Sequence, residues 1–206
     1  MLLKKANQNS DKQLIEKLNV KELIEFERFC RDNAQWKEMK TCFTADSTIK
    51  ISWFRGTGEE FVNASSQMKS YAPQKLYNTL VWLNENNDKA VAITMASIQM
   101  RTTIDDHPLE VTSDVKLFYR TKKINNVWYV YSMEGIYEKD TLIPVYPNNH
   151  ISLPVKEISK YRPIYANLSY ILAKEGYEID NELPGIDKPE LVNEIYEEAE
   201  KWLNQE

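Results

Sequence analysis

Proton transfer in proteins most often uses an imidazole, and this chain has two histidines, His107 and His150. His107 precedes Pro108 at an expected hairpin tip, and His150 follows Asn148 and Asn149 in an irregular connection, so both are expected as surface or structural groups. With histidines so placed, no Ser-His-Asp or Cys-His set is expected. Cys30 and Cys42 could pair, but they lack metal-type spacing and a secretory context, so reduced, buried thiols are the expectation. Asp105–Asp106 reads as turn chemistry, and no cluster of His, Cys, Asp and Glu has metal-ligand spacing. Lys75 stands at a strand start. Inside an apolar pocket it could lose its proton and act as base or Schiff-base nucleophile; at a surface it would snorkel into water. Arg101 and Asp114 are expected to face each other across a long hairpin, as a cross-strand pair or with Arg101 binding a carboxylate at a pocket mouth.

The elements that must position these groups follow from composition and period. Of 206 residues, 42% are apolar and 28% charged, enough to bury a core. Five glycines occur where average usage gives roughly fourteen. Neither G-x-G-x-x-G nor G-x-x-x-x-G-K-[ST] is present, which excludes the glycine-rich nucleotide loops. Net charge is −5 with basic residues dispersed, so no nucleic-acid partner is expected. Apolar stretches fall far short of the ~20 residues of a membrane span, and no apolar h-region follows Met1–Lys5. A cytoplasmic protein is expected.

Ser10 is expected to cap a short turn with Leu14, Ile15 and Leu18. After a break, a helix from about Val20 would place Leu23, Ile24, Phe26, Phe29 and Cys30 near helical spacing. Asn33 is expected to cap a further helix carrying Trp36, Met39, Lys40 and Phe43. A strand over Thr48–Phe54 stops at Arg55–Gly58, and Thr57 with Glu60 forms a capping box for a helix through Phe61, Val62 and Met68. Strands are then expected over Lys75–Leu83, Ala90–Thr103, Leu109–Thr121 and Val127–Tyr137, an antiparallel meander with tight polar turns. Beyond Lys139, Pro144, Pro147 and Pro154 mark a connection. Pro163 opens a helix with Ile164, Leu168, Ile171 and Leu172 that stops at Gly176. Asp187 with Glu190 would cap a last helix carrying Leu191, Ile195, Ala199 and Leu203.

This element order and several strings resemble the SnoaL-like branch of the nuclear transport factor 2-like superfamily. The strings are Asp32–Trp36, Ser52–Phe54 with Phe61–Val62, Asn126–Trp128, Ile136–Val145, Tyr161–Arg162 and Leu183–Gly185. The resemblance covers about residues 12 to 204. It implies an α+β cone: a curved antiparallel sheet wrapped around the N-terminal helices (a cystatin-like α+β barrel) with an apolar pocket at one end. The divisions implied are a tail over 1–11, a cone over 12–147 and a helical extension over 148–206.

The resemblance also implies site residues. Scytalone dehydratase-like members carry an Asp four residues before a helical Trp, and Asp32 stands so before Trp36, which makes it the candidate acid–base. Asp32 equally suits a helix boundary, where it would cap. The two pocket histidines of those dehydratases fall on Lys75 (or Gln74 in a register slipped by one) and near Met100, and neither is histidine here. In an enzyme with Asp32 as acid–base, Tyr77, Asn78 or Arg101 would orient the substrate. Trp53, Tyr77, Trp82, Met100, Phe118, Tyr119, Tyr129 and Tyr137 supply candidate lining, of which strand alternation admits about half. Two functions stay open: a cofactor-independent lyase, isomerase or cyclase acting on a hydrophobic or aromatic compound, or a ligand-binding or assembly module that lost the histidine pair. Dimerisation through the open sheet face is expected from exposed edges and surplus aromatics.

Overall fold

The computed structural model describes residues 8–146 and 151–205. His150, with Pro147, Asn148 and Asn149, lies outside them. Ser10 opens α1, Asp11–Asp32, with a reciprocal capping box: Ser10 Oγ accepts from Gln13 N–H (3.3 Å) and Gln13 Oε1 from Ser10 N–H (2.9 Å). The expected break before Val20 is absent. No glycine or proline interrupts the segment, and one 22-residue helix runs through it. Its buried face is Glu16, Val20, Ile24, Glu27, Arg28, Cys30 and Arg31, while Phe26 and Phe29 are exposed. Asn33 ends α1 instead of starting the next helix: its backbone N–H (3.0 Å) and side-chain amide (2.8 Å) both donate to Phe29 O. The short α2, Trp36–Lys40, begins after Gln35 with no side-chain cap.

Strands β1, Phe43–Ile51, and β2, Phe54–Gly56, are joined through Ser52–Trp53, and α3, Gly58–Ser66, carries the Thr57–Glu60 box. Four long strands follow: β3, Gln74–Leu83; β4, Lys89–Ile104; β5, His107–Ile124; and β6, Val127–Pro144. The turns Asp105–Asp106 (φ 48° and 63°) and Asn125–Asn126 (φ 50° and 64°) place both central residues in the left-handed region, the two-residue hairpin that matches strand twist. His107 is therefore not at the tip. It starts β5, paired with Ile104.

The sheet order is β2-β1-β6-β5-β4-β3. Every neighbouring pair is antiparallel except β1 and β6, which run parallel (Ile49 opposite Met133), so the sheet is mixed where a wholly antiparallel one was expected. It also stays open, with β2 and β3 as edges, and forms no closed barrel. Helix α1 touches β3, β4 and β6. Strands β6 and β3 are three intervals apart, roughly 14 Å in a flat sheet, and one helix reaches both because the sheet curves around it.

The C-terminal part adds α4, Val155–Ile158; a 3-10 turn, Pro163–Tyr165; α5, Ala166–Lys174; and α6, Pro189–Asn204. Gly176 takes φ 99° just past α5, a conformation a side chain would resist. The segment before α6 docks on β6: Tyr137 N–H donates to Pro184 O (3.0 Å) and Ile186 N–H to Tyr137 O (3.1 Å). A side chain at Gly185 would strike Ile164 and crowd Tyr137 O, which explains the residue in the Leu183–Gly185 string. The expected Asp187–Glu190 cap is not formed; Arg162 Nε holds Asp187 (3.2 Å) and Lys188 precedes α6 uncapped.

Two apolar cores result. One fills the concave side between sheet, α1, α3 and α5. On the convex side, Ile195, Ala199 and Leu203 of α6 pack on Val91, Ile93, Phe118 and Ile136. Part of the face expected to dimerise is thus covered by the chain itself.

Candidate functional site

Strand alternation decides what can face the cone. On β4, Ala92, Ala96 and Met100 join the inner core while Val91 and Ile93 join the outer one, which puts Arg101 outside. On β3 the register shifts between Leu76 and Thr79, so Leu76, Val81 and Leu83 are inner and Trp82 is outer.

The concave side holds an internal cavity of about 20 Å³. Trp53, Phe61, Met100, Leu117, Met133 and Tyr137 supply its apolar and aromatic wall, and Leu168 and Leu172 of α5 close it. Polar groups on the wall are Arg28, Arg31, Ser52 and Gln74. Arg28 forms a buried ion pair with Glu27, donating from Nε and Nη2, and reaches Gln74 Oε1 with Nη1 (3.3 Å). Burial is the largest single effect and opposes the Arg28 charge, but Glu27, together with Tyr119 and Asp32, outweighs it and the guanidinium's pKa is raised. For Arg31 burial and the Arg28 charge prevail over Asp32, and its pKa is lowered. Behind the wall the Tyr119 hydroxyl is buried with no hydrogen-bond partner among the described residues, and burial raises its pKa.

Asp32 is partly buried at the end of α1. Its Oδ2 accepts from Gln74 N–H (2.7 Å) and its Oδ1 from Arg31 Nη1 (3.2 Å), so it stands behind two wall residues and is not itself part of the wall. Trp36 packs against the core from α2 without lining the cavity. Trp53, Met100 and Tyr137 do line it, and Tyr137 Oη accepts from Ser52 N–H (3.0 Å).

The other expected site residues lie elsewhere. Lys75, Tyr77 and Asn78 are on the edge strand β3, with Tyr77 and Asn78 exposed, Lys75 turned away from the cavity, and Tyr77 Oη against Ser97 Oγ (3.1 Å). Arg101 pairs with Glu110 (2.6 Å), not with Asp114, because register sets Arg101 opposite Glu110 and Asp114 opposite Ser97. Asp114 accepts from Ser97 Oγ (2.5 Å) and approaches Lys139 (3.8 Å). Of the candidate lining aromatics, Trp82 and Phe118 belong to the outer core.

Sequence reasoning missed Glu27, Arg28 and Arg31. Their signal was spacing: with Val20 and Ile24 they fall at helical intervals on one stripe, charges set into an apolar face. It also missed how the extension meets the cone. Asp140 on β6 accepts from Leu168 N–H (2.8 Å) and Asn167 Nδ2 (2.8 Å), fixing the start of α5, and burial pushes its carboxyl pKa up. A surface cleft of about 630 Å³ lies between Ile51–Arg55 and Glu178–Glu182 and shares Ile51, Ser52 and Trp53 with the cavity. Asp180 N–H donates to Ser52 O (2.9 Å) and Trp53 meets Tyr177 edge-on (5.2 Å), so this strap is tied to the shared wall.

A curved, open sheet closed on its concave side by helices, with a cavity between, is the nuclear transport factor 2-like fold. A hexachlorocyclohexane dehydrochlorinase (LinA type 2) shares it with a TM-score of 0.57, 14% identity and cover of 70% of this chain and 99% of that one. A protein of Novosphingobium aromaticivorans assigned as a scytalone dehydratase shares it at 0.55, 13%, 69% and 93%. In sequence the chain is similar to a PEP2-like protein of Fusarium vanettenii, 23% identical over 214 residues (97% of this chain, 91% of that protein). It is also similar to pea pathogenicity protein 2 of the same organism, 24% identical over 211 residues (97% and 91%). No protein-family profile matches the chain.

Proposed function

We propose that this chain is a small-molecule-binding protein that takes a hydrophobic or aromatic compound into the cone, and that the site holds its ligand without acting on it. The composition of the cavity wall carries this reading: apolar and aromatic side chains with two guanidiniums, while both Asp32 oxygens are engaged by Gln74 N–H and Arg31. A guanidinium stays protonated at working pH, so it orients and binds but does not relay a proton. The two free, buried thiols fit a reducing cytoplasm.

A second reading is a cofactor-independent lyase, isomerase or cyclase with Asp32 as acid–base. It is favoured by the fold shared with a dehydrochlorinase and by the placement of Asp32 one side chain behind the wall. One experiment serves both. Apolar and aromatic fragments are titrated against the wild type and Asp32→Asn while tryptophan fluorescence, including that of Trp53, is followed, and each bound fragment is recovered and checked for conversion. Saturable binding without conversion, retained in Asp32→Asn, supports the first reading. Conversion that falls by roughly 100-fold or more in Asp32→Asn establishes the second, and the absence of saturable binding overturns both.

A further inference from the structure

The reading above leaves the class of ligand open, and the donor inventory of Arg31 narrows it. A guanidinium has five N–H donors, and the edge formed by Nε and one Nη matches the two oxygens of a carboxylate. In Arg31, Nη1 is used: it donates to Ala72 O (2.9 Å) and Asp32 Oδ1 (3.2 Å). Nη2 meets the Met68 thioether (3.4 Å), a weak acceptor. Nε–H is buried with no hydrogen-bond partner among the described residues, in a residue only 9% exposed that lines the cavity. The bidentate edge of a buried cation therefore faces no oxygen. Leaving such a donor unmet is costly, and more so when it is charged.

The neighbouring charges do not remedy this. Arg28 is taken up by Glu27, and the second oxygen of Asp32 is committed to Gln74 N–H. What the cavity lacks is one oxyanion at Arg31. The remainder of the wall, from Trp53 to Leu172, offers contact for an apolar body. The group on Nη2 is of the yielding kind: Met68 is an unbranched, adaptable side chain.

Resting on the binding function proposed above, we infer that the ligand is an apolar monocarboxylate, its carboxylate bidentate on Nε and Nη2 of Arg31 and its body against the Trp53–Met100–Tyr137 wall.

Calorimetric titration of the intact protein with matched pairs tests this: 2-naphthoate, 4-phenylbutanoate and decanoate, each against its primary amide. The expected result is an acid that binds at least about tenfold tighter than its amide, as a charge-assisted bidentate contact requires. Arg31→Gln should remove that preference, and Arg31→Lys, which keeps the charge but not the fork, should restore part of it. The comparison of acid with amide is made in the wild type, so it stands even where a variant fails to fold. Amides that bind as well as their acids would sink the carboxylate inference and leave the binding function intact. An acid preference undiminished in a folded Arg31→Gln would remove Arg31 from the site. If neither member of any pair binds, both proposals fall.

Discussion

A carboxylate taken out of water must be met by charge or by donors, and α1 meets two of them differently. Glu27 is matched inside the cone by Arg28, its own neighbour in sequence. Glu16, near the other end of the helix, is held by the strand pair: Lys123 Nζ at 2.5 Å and Trp128 Nε1 at 2.8 Å. Chiefly through the Lys123 hydrogen bond, opposed by burial, the Glu16 pKa is held below the usual carboxylate range. Its folded value therefore lies below its unfolded value, and the unfolded chain binds more protons between the two. Stability from this group is present above the unfolded pKa and is lost as pH falls through the folded one. Urea midpoints measured from pH 7 to pH 3 should drop less steeply for Glu16→Gln than for the wild type. The amide oxygen can still accept from Trp128 while the Lys123 contact goes with the charge, so the change of midpoint with pH, and not its absolute value, reports the ionisation. Equal slopes would show that the Glu16–Lys123 pair is not coupled to folding.

Helix α5 is an element doing two things: its Leu168 and Leu172 complete the inner core, and the same side chains leave the cavity room for about one water. Leu168→Ala should destabilise by about 2–5 kcal/mol, as a large-to-small change in a packed core does. It should also tighten the binding of apolar fragments, because the ligand no longer has to displace the leucine. A loss of stability with no gain in binding, in paired denaturation and fluorescence titrations, would make α5 a plain core helix. Which parts of this arrangement could be read in advance follows from range. The Ser10 cap, the Thr57–Glu60 box and the polar turn before Val127 are interactions within a few residues, and sequence displays them directly. The apolar spacing of Leu168 and Leu172 was equally plain, but the partner it seeks lies on other elements. The shift between Leu76 and Thr79 turns over the inward residues of β3, and nothing local marks it. For the same reason Tyr77 reads as lining and stands outside, while Arg28 and Arg31, for which the sequence carried no reading, stand on the cavity wall.

At the scale of the molecule, the question is what the convex face of the sheet is for. Val91, Ile93, Phe118 and Ile136 form an apolar patch there, and an open sheet with such a face invites a second copy. Helix α6 takes that place. Phe118 meets Tyr196 at 5.7 Å, Tyr131 stacks on Trp202 at 5.8 Å and Lys89 lies over the same indole at 5.7 Å. Arg120, between Glu134 and Glu198, adds a charged contact from sheet to helix (3.8 and 3.5 Å). Aromatics that look surplus to one pocket are thus spent on an intramolecular interface. A helix tethered to its own sheet is always at high local concentration, so it outcompetes a free subunit at ordinary protein levels. The full chain should then scatter light as a monomer at micromolar concentration. Deleting residues 188–206 uncovers the patch, and the shortened chain should self-associate, with a mass that rises with concentration. Phe118→Glu in the shortened chain should return it to the monomer, since a charge at the centre of the patch is incompatible with burying it. A full-length dimer whose mass is unchanged by the deletion would place the contact on another face and remove α6 from the role of partner.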